Sequence, residues 1–354
     1  MMLNMVCTTA VLKDICVHLN KCENKTQEDG LNGNAGLVLL YFYFYRYSKN
    51  EMYYSKAVQI LENIFERIDG NYLNSNFSNG IAGIGWLVDH LSENDFIDID
   101  CDVLFADTID AHIHHSMLAD LYQESLVFDN GALGKCFYFI KRYQNTKSAV
   151  LKVRYKNYIT QFIFFLERRR IYTDYTNQAA TARGIRSSSK SAEINQNIGL
   201  VNILLHICVL VEFDVLVHPL LEKYSSSLTE KIQLSSFQKA EIALSLWKSG
   251  QILNKKSYLE RSKQIVRHKI VSAENLQIMN YFKFGIVFQE LSQSSSHDFY
   301  KELQYHWISK GCKELSGVGI QKLNAGLCGL SGIGMSLLTL ENDSKTNWQE
   351  CFLY

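Results

Sequence analysis

The sequence predicts an all-α protein, an α/α toroid of about seven helical hairpins. Three observations carry that prediction. The chain has 354 residues with one proline, Pro219, against 20 glycines; proline removes a backbone donor and clashes with the preceding helical turn, so its near-absence favours helices throughout. A Gly-x-x-Gly pair running into a dozen mostly apolar residues recurs four times: GNAGLVLLYFYF from Gly33, GIAGIGWLVDHL from Gly80, GALGKCFYFIKR from Gly131 and GLSGIGMSLLTL from Gly329. The terminal copies, at 37–44 and 333–340, are as apolar as the internal ones. An open solenoid would cap its ends with polar faces, so the array is expected to close on itself.

Spacing sets the number of units. Gly33, Gly80 and Gly131 stand 47 and 51 residues apart, and the 198 residues from Gly131 to Gly329 hold three weaker copies. These are NIGLVNILLH at 197–206, QKAEIALSLWKSG at 238–250, and FKFG at 282–285 followed by IVFQEL. Each apolar first helix is placed inside and an amphipathic second helix outside. Residues 56–68 show the outer pattern, with Ala57, Ile60, Leu61, Ile64, Phe65 and Ile68 on one stripe. Tyr41-Phe-Tyr-Phe-Tyr45 has strand propensity, but the equivalent positions of the other repeats read as helix, so helix is predicted at 37–46. The polar, Ser-rich stretch 173–196 predicts an extended loop between the third and fourth hairpins, with shorter breaks at 224–229 and 292–298. None marks a domain boundary, so 1–354 is read as one domain. Glycines at the first-helix starts allow close backbone approach and would leave amide N–H groups open, suiting a crowded centre or an anion site.

Composition excludes several functions. Lys plus Arg and Asp plus Glu balance at 36 each, with a pI near 7.1, so there is no basic footprint and nucleic acid is not an expected partner. The first 20 residues lack an export-signal pattern. The longest apolar stretch, 198–211, is interrupted by Asn202 and His206 and is too short for a membrane span. Nine cysteines without a CxxC pair fit free thiols of a reducing compartment, and the expected location is cytoplasmic. GNAGLV and GIAGIG neither follow a strand nor end in Lys-Ser/Thr, so no nucleotide site is expected.

The glycine-led hairpins, DNGALGKCFYF, and the closing GLSGIGMSLL followed by NWQECFLY resemble the lanthionine synthetase C-like family, the cyclases of lanthipeptide biosynthesis. The likeness runs from about Leu31 to the C-terminus. It implies a toroid with a central zinc held by two cysteines and a histidine, where a peptide thiolate adds to a dehydrated Ser or Thr. Zinc suits that chemistry because it deprotonates a thiol near neutral pH and keeps a fourth position open. The family's ligand positions fall here on Ser236-Phe237-Gln238 and Asn280-Tyr281-Phe282, and no cysteine or histidine lies between Pro219 and Arg267 or between Lys269 and Ser296. The family's proton-moving histidine falls on Asn202. Its aspartate before the third repeat falls on Val127, with Asp129 displaced by two residues.

The sequence is therefore read as a cyclase fold without zinc, with no catalytic and no metal residues assigned. It would bind a precursor peptide, or act as a scaffold beside a dehydratase or other modification enzyme. Two alternatives stay open: an active cyclase with a non-standard site, and a carbohydrate-binding toroid. Cavity candidates are Asp129 and Asn130 before the third repeat, Asn202 and His206 four apart on one helix face, Ser236, Asn280 and Tyr281 at later repeat starts, and Cys328. Cys328 reads as a small hydrophobe among Leu327, Leu330 and Ile333, or with Cys312 and His306 as a replacement metal site. His112-Ile-His-His115 reads as the solvated end of an outer helix. A paired-carboxylate glycosidase would need two acids in the cavity; Asp89 and Asp129 are the acidic residues near intact hairpin starts.

Overall fold

The computed structural model describes residues 2–21, 28–68, 74–181, 190–229, 234–267, 276–295, 298–341 and 347–353. Among the described residues every regular element is helical. In chain order the first six repeats comprise α2 (Asn34–Ser48) and α3 (Glu51–Ile68); α4 (Ile81–Glu93), α5 (Cys101–Phe105) and α6 (Thr108–Tyr122); α7 (Ala132–Asn145) and α8 (Ala149–Thr181); α9 (Lys190–Cys208) and α10 (Asp214–Ser227); α11 (Ser236–Ile252) and α12 (Lys256–Arg267); and α13 (Ile278–Ser295) and α14 (Asp298–Val318). In the seventh repeat the first helix, α15 (Leu330–Glu341), is followed among the described residues by a 3₁₀ turn, Asn347–Phe352. Its outer neighbour is the N-terminal helix α1 (Met2–Lys21), which packs on α14 and α15.

The helices gather into two compact units. The first holds α1–α4 and α13–α15, and within it α2 lies against α15. Leu327 N–H donates to the Leu31 carbonyl at 2.9 Å, and Cys328 N–H to Asn32 Oδ1 at 3.2 Å. The first and last repeats therefore pack side by side, as their apolar faces require. The strand-prone run 41–45 is helical. Every residue of α2 from Asn34 to Phe44 is buried, and its rings meet others, Phe44 on Tyr53 at 4.5 Å and Tyr43 on Phe96 at 5.0 Å. Tertiary packing overrides local propensity here.

The second unit holds α5–α12. A buried network braces its first two layers. Arg142, 1% exposed, sends Nη2 to the Cys101 carbonyl, Asp102 Oδ1 and the Tyr155 hydroxyl, each at 3.0 Å. Fully buried Asp110 accepts from Tyr138 at 2.6 Å and Tyr155 at 2.5 Å. Burial raises the Asp110 pKa, opposed by the two tyrosine hydrogen bonds and by Arg142.

Three expectations need correction. The predicted loop 173–196 is largely helix: α8 runs to Thr181 and α9 starts at Lys190, with 182–189 outside the described residues. The stretch TDYTNQAAT at its start is polar but contains no glycine or proline, so helix continues. The breaks at 224–229 and 292–298 are similarly short, because α10 reaches Ser227, α13 reaches Ser295 and α14 begins at Asp298. Pro219 lies inside α10. It forfeits one bond to the Val215 carbonyl, and Val215 is exposed to water.

The glycines are also explained differently. At the four intact repeats the first helical N–H is already bonded to its own preceding loop: Asn34 to the Glu28 carbonyl, Ile81 to Asn74, Ala132 to Ser125 and Leu330 to Asn324, at 2.8–3.0 Å. The loop lies directly on the helix start. A Cβ at Gly36, Gly83 or Gly332 would stand 2.3, 1.9 or 1.9 Å from the carbonyl oxygen of Leu31, Phe77 or Leu327. Glycine is needed for loop-on-helix contact, and these amides are engaged rather than open to an anion. Where the signature is eroded, the start is built otherwise. Ser235 Oγ accepts from Gln238 N–H at 3.1 Å while Gln238 Oε1 accepts from Ser235 N–H at 3.0 Å, a reciprocal cap on α11.

Candidate functional site

In the second unit α9 and α11 run parallel and in register. Gln238 Nε2 donates to Asn195 Oδ1 and Ser245 Oγ to Asn202 Oδ1, each at 2.7 Å and each across 43 residues. Asn202 is buried, and His206 is half-buried one turn further along the same face, as their spacing predicts. The His206 ring meets Phe137 of α7 edge-on at 5.0 Å. Burial, with the charges of Lys248 and Lys141, lowers its pKa to about 3. Helices α7, α9 and α11 thus contribute a carboxamide, a hydroxyl, a neutral imidazole and two ammonium groups to one neighbourhood.

This arrangement can hold polar ligand groups but is a poor proton shuttle. Asn202 has no exchangeable acid-base function, and His206 is neutral around pH 7. Because the folded pKa lies below the ordinary 6.5, the unfolded chain binds the extra proton. The stability His206 contributes is therefore present above 6.5 and lost as pH falls from there toward 3. His206→Gln is expected to flatten the acid limb of the stability profile in that window, measured by urea unfolding at several pH values; an unchanged slope would refute the assignment.

The other candidates fall in different settings. Ser236 is the first residue of α11 and half-buried. Asp129 and Asn130 are exposed in the turn before α7. In the first unit Asn280 is half-buried near the start of α13, its N–H on the Gln277 carbonyl. Tyr281 is a correction: it is 3% exposed, its ring stands 6.0 Å from that of Trp307 on α14, and Lys310 Nζ lies 5.5 Å from its centroid. It serves the contact with the outer helix. Cys328 is another, because it is exposed rather than packed among its apolar neighbours. Its proposed metal partners do not join it: Cys312 is buried, His306 is exposed with its ring edge-on to Trp307, and the metal-type cluster found among the described residues contains none of the three. In the histidine run, His112 and His115 are exposed but His114 is docked, stacked on Tyr158 at 3.7 Å and bonded to Gln161 at 2.9 Å. Asp89 is buried in the first unit, whereas Asp129 is exposed in the second.

The residues at the positions where the family resemblance places zinc do not fit that ion. Ser236 and Asn280 offer neutral oxygen donors, Gln238 is engaged in the α11 cap and with Asn195, and Tyr281 is held by Trp307. Zinc sites are built from thiolate, imidazole and carboxylate.

Residues 25–99, covering the first hairpin and the first helix of the second, match a family model described as lanthionine synthetase C-like protein. No curated protein matches the sequence. Among solved structures, nisin cyclase is similar with a TM-score of 0.70 and 14% identity, over 98% of this chain and 96% of that one. At that identity the likeness establishes the fold, the α/α toroid class expected from the repeats. Among the described residues no single helix is long and apolar enough to cross a membrane. The family match over the first hairpin and the fold shared over almost the whole chain make this chain similar to lanthionine synthetase C-like proteins, as the sequence resemblance implies.

Proposed function

We propose that this protein binds a ribosomally made precursor peptide without closing thioether rings through zinc, and works in the cytoplasm as a binding or scaffolding partner of a dehydratase or another modification enzyme. One observation carries the reading. The fold of nisin cyclase is kept, while the positions that the resemblance gives to metal and proton transfer carry Ser236, Asn280, Tyr281 and Asn202, the last tied to Ser245. Carboxamide, hydroxyl and ammonium groups are suited to hydrogen-bonding peptide carbonyls, and none of them activates a thiol.

The test is titration of the full chain with dehydrated nisin precursor, and with any precursor peptide encoded beside its gene, while free thiols on the peptide are counted. Saturable binding with an unchanged thiol count is expected, weakened by Asn202→Leu. Protein-dependent thiol loss would replace this reading with that of an active cyclase. Binding of soluble glycans without binding of peptides would replace it with the carbohydrate reading.

A further inference from the structure

The reversal from α9 to α10 brings together three side chains that the site above does not use. Cys208 is the last residue of α9, and α10 opens on Asp214 with His218 four residues later, hence on the same helix face. Leu210 N–H on the Ile207 carbonyl at 2.8 Å and Phe213 N–H on the Leu210 carbonyl at 2.9 Å tighten the turn between them. The sulfur, a carboxylate oxygen and an imidazole nitrogen consequently lie within 4.8 Å of one another, with His218 Nε2 3.7 Å from Asp214 Oδ1. All three residues are half-buried, so an ion can reach them from solvent.

A second observation points to a cation. Asp214 Oδ1 is enclosed by the protein without a hydrogen-bond donor, an arrangement that is costly for a carboxylate oxygen unless something positive meets it.

We propose that Cys208, Asp214 and His218 form a binding site for one divalent transition-metal ion, zinc by preference, with a coordination position left open. Bond lengths of about 2.0–2.3 Å place tetrahedral zinc ligands about 3.3–3.8 Å apart, so side-chain rotations suffice to close the set. The soft thiolate selects against magnesium and calcium. Binding breaks one S–H bond, forms one metal–sulfur bond and releases one proton to solvent for each ion. The site is separate from the one implied by the family resemblance. Because α9 and α11 are parallel and in register, Cys208 lies at the end of its helix opposite to the level of Ser236. Its occupant would pin the α9–α10 reversal.

Metal-free full-length protein, kept reduced, is titrated with cadmium ion, and thiolate-to-metal charge-transfer absorption is followed, with zinc ion as competitor. One equivalent is expected to raise the band and zinc to abolish it. Cys208→Ser should remove the band with the helical circular dichroism unchanged, and His218→Ala, which removes a ligand, should weaken binding by at least the roughly 10- to 100-fold that losing a ligand's hydrogen-bond partner costs. His218 is 40% exposed, so its variant keeps the test valid if Cys208→Ser does not fold. A band of full size in Cys208→Ser, wild-type affinity in His218→Ala, or no uptake by the wild type would each overturn the proposal.

Discussion

Arg142→Ala is expected to lower folding stability by about 3–5 kcal/mol, because it strands a buried carboxylate. Asp110 is fully buried, and its charge is tolerated through Tyr138, Tyr155 and the Arg142 guanidinium, whose Nε stands 3.9 Å from Asp110 Oδ1. The same guanidinium bonds Asp102, which also accepts from Thr146 Oγ1 at 2.7 Å. Its loss therefore loosens the joint between α5–α6 and α7–α8. The pH dependence distinguishes this from simple cavity formation. The folded pKa of Asp110 is raised above 3.8, so the folded state holds the proton more tightly than the unfolded one. That contribution is complete below 3.8 and is lost as pH rises through the folded value. Removing Arg142 raises that value further and widens the window. The Arg142→Ala penalty should accordingly be larger near neutral pH than in mildly acidic buffer, and Arg142→Met combined with Asp110→Asn should recover most of it. Urea unfolding checks both. A penalty independent of pH and unchanged by Asp110→Asn would show that the charge balance is not what the network supplies.

Neither Arg142 nor Asp110 was visible as a pair in the sequence, because they sit in different repeats and meet only through packing. What the sequence does carry is whatever repeats along it. The Gly-x-x-Gly period and the apolar first helices specified the hairpins, and the aromatic run 41–45 was assigned correctly once its repeat position outweighed its propensity. The packing of α1 on α15 carries no local signal, since the two are more than 300 residues apart in the chain. Residues 173–181 are helical despite their polarity, because polarity signals exposure, not the end of a helix. At the site, the four-residue spacing of Asn202 and His206 within α9 puts both on one helix face. Tyr281 turned out to face Trp307, because its rotation about the axis of α13 is set by packing on α14. The apolar neighbours of Cys328 predict burial, but the turn ahead of α15 presents it to water. The set Cys208, Asp214 and His218 follows no familiar ligand spacing. Only the tight turn after α9 makes it a cluster.

The glycine signature makes the second large prediction. Gly36→Ala is expected to cost about 1–3 kcal/mol, the range for forcing an added methyl into a filled space, because the new Cβ would stand 2.3 Å from the Leu31 carbonyl oxygen and 2.9 Å from the Leu327 amide nitrogen. Both obstacles are backbone, so no rotamer change relieves them. They belong to the two loops joined by the Leu327–Leu31 hydrogen bond, so the damage should concentrate where the first repeat meets the last. Hydrogen exchange should accelerate at Leu327 and at the start of α2 in Gly36→Ala while the amides of α7 and α9 keep their protection. Gly317 is the control: nothing lies within 4 Å of its added Cβ, and alanine is the better helix former, so Gly317→Ala should be neutral or gain up to about 0.5–1 kcal/mol. If the two variants unfold at the same urea concentration, loop-on-helix contact is not the reason for glycine at these starts. If they separate as expected, the signature is a packing requirement of the closure. Its survival in repeats one, two, three and seven then reports conservation of architecture and carries no information about whether thiol chemistry persists.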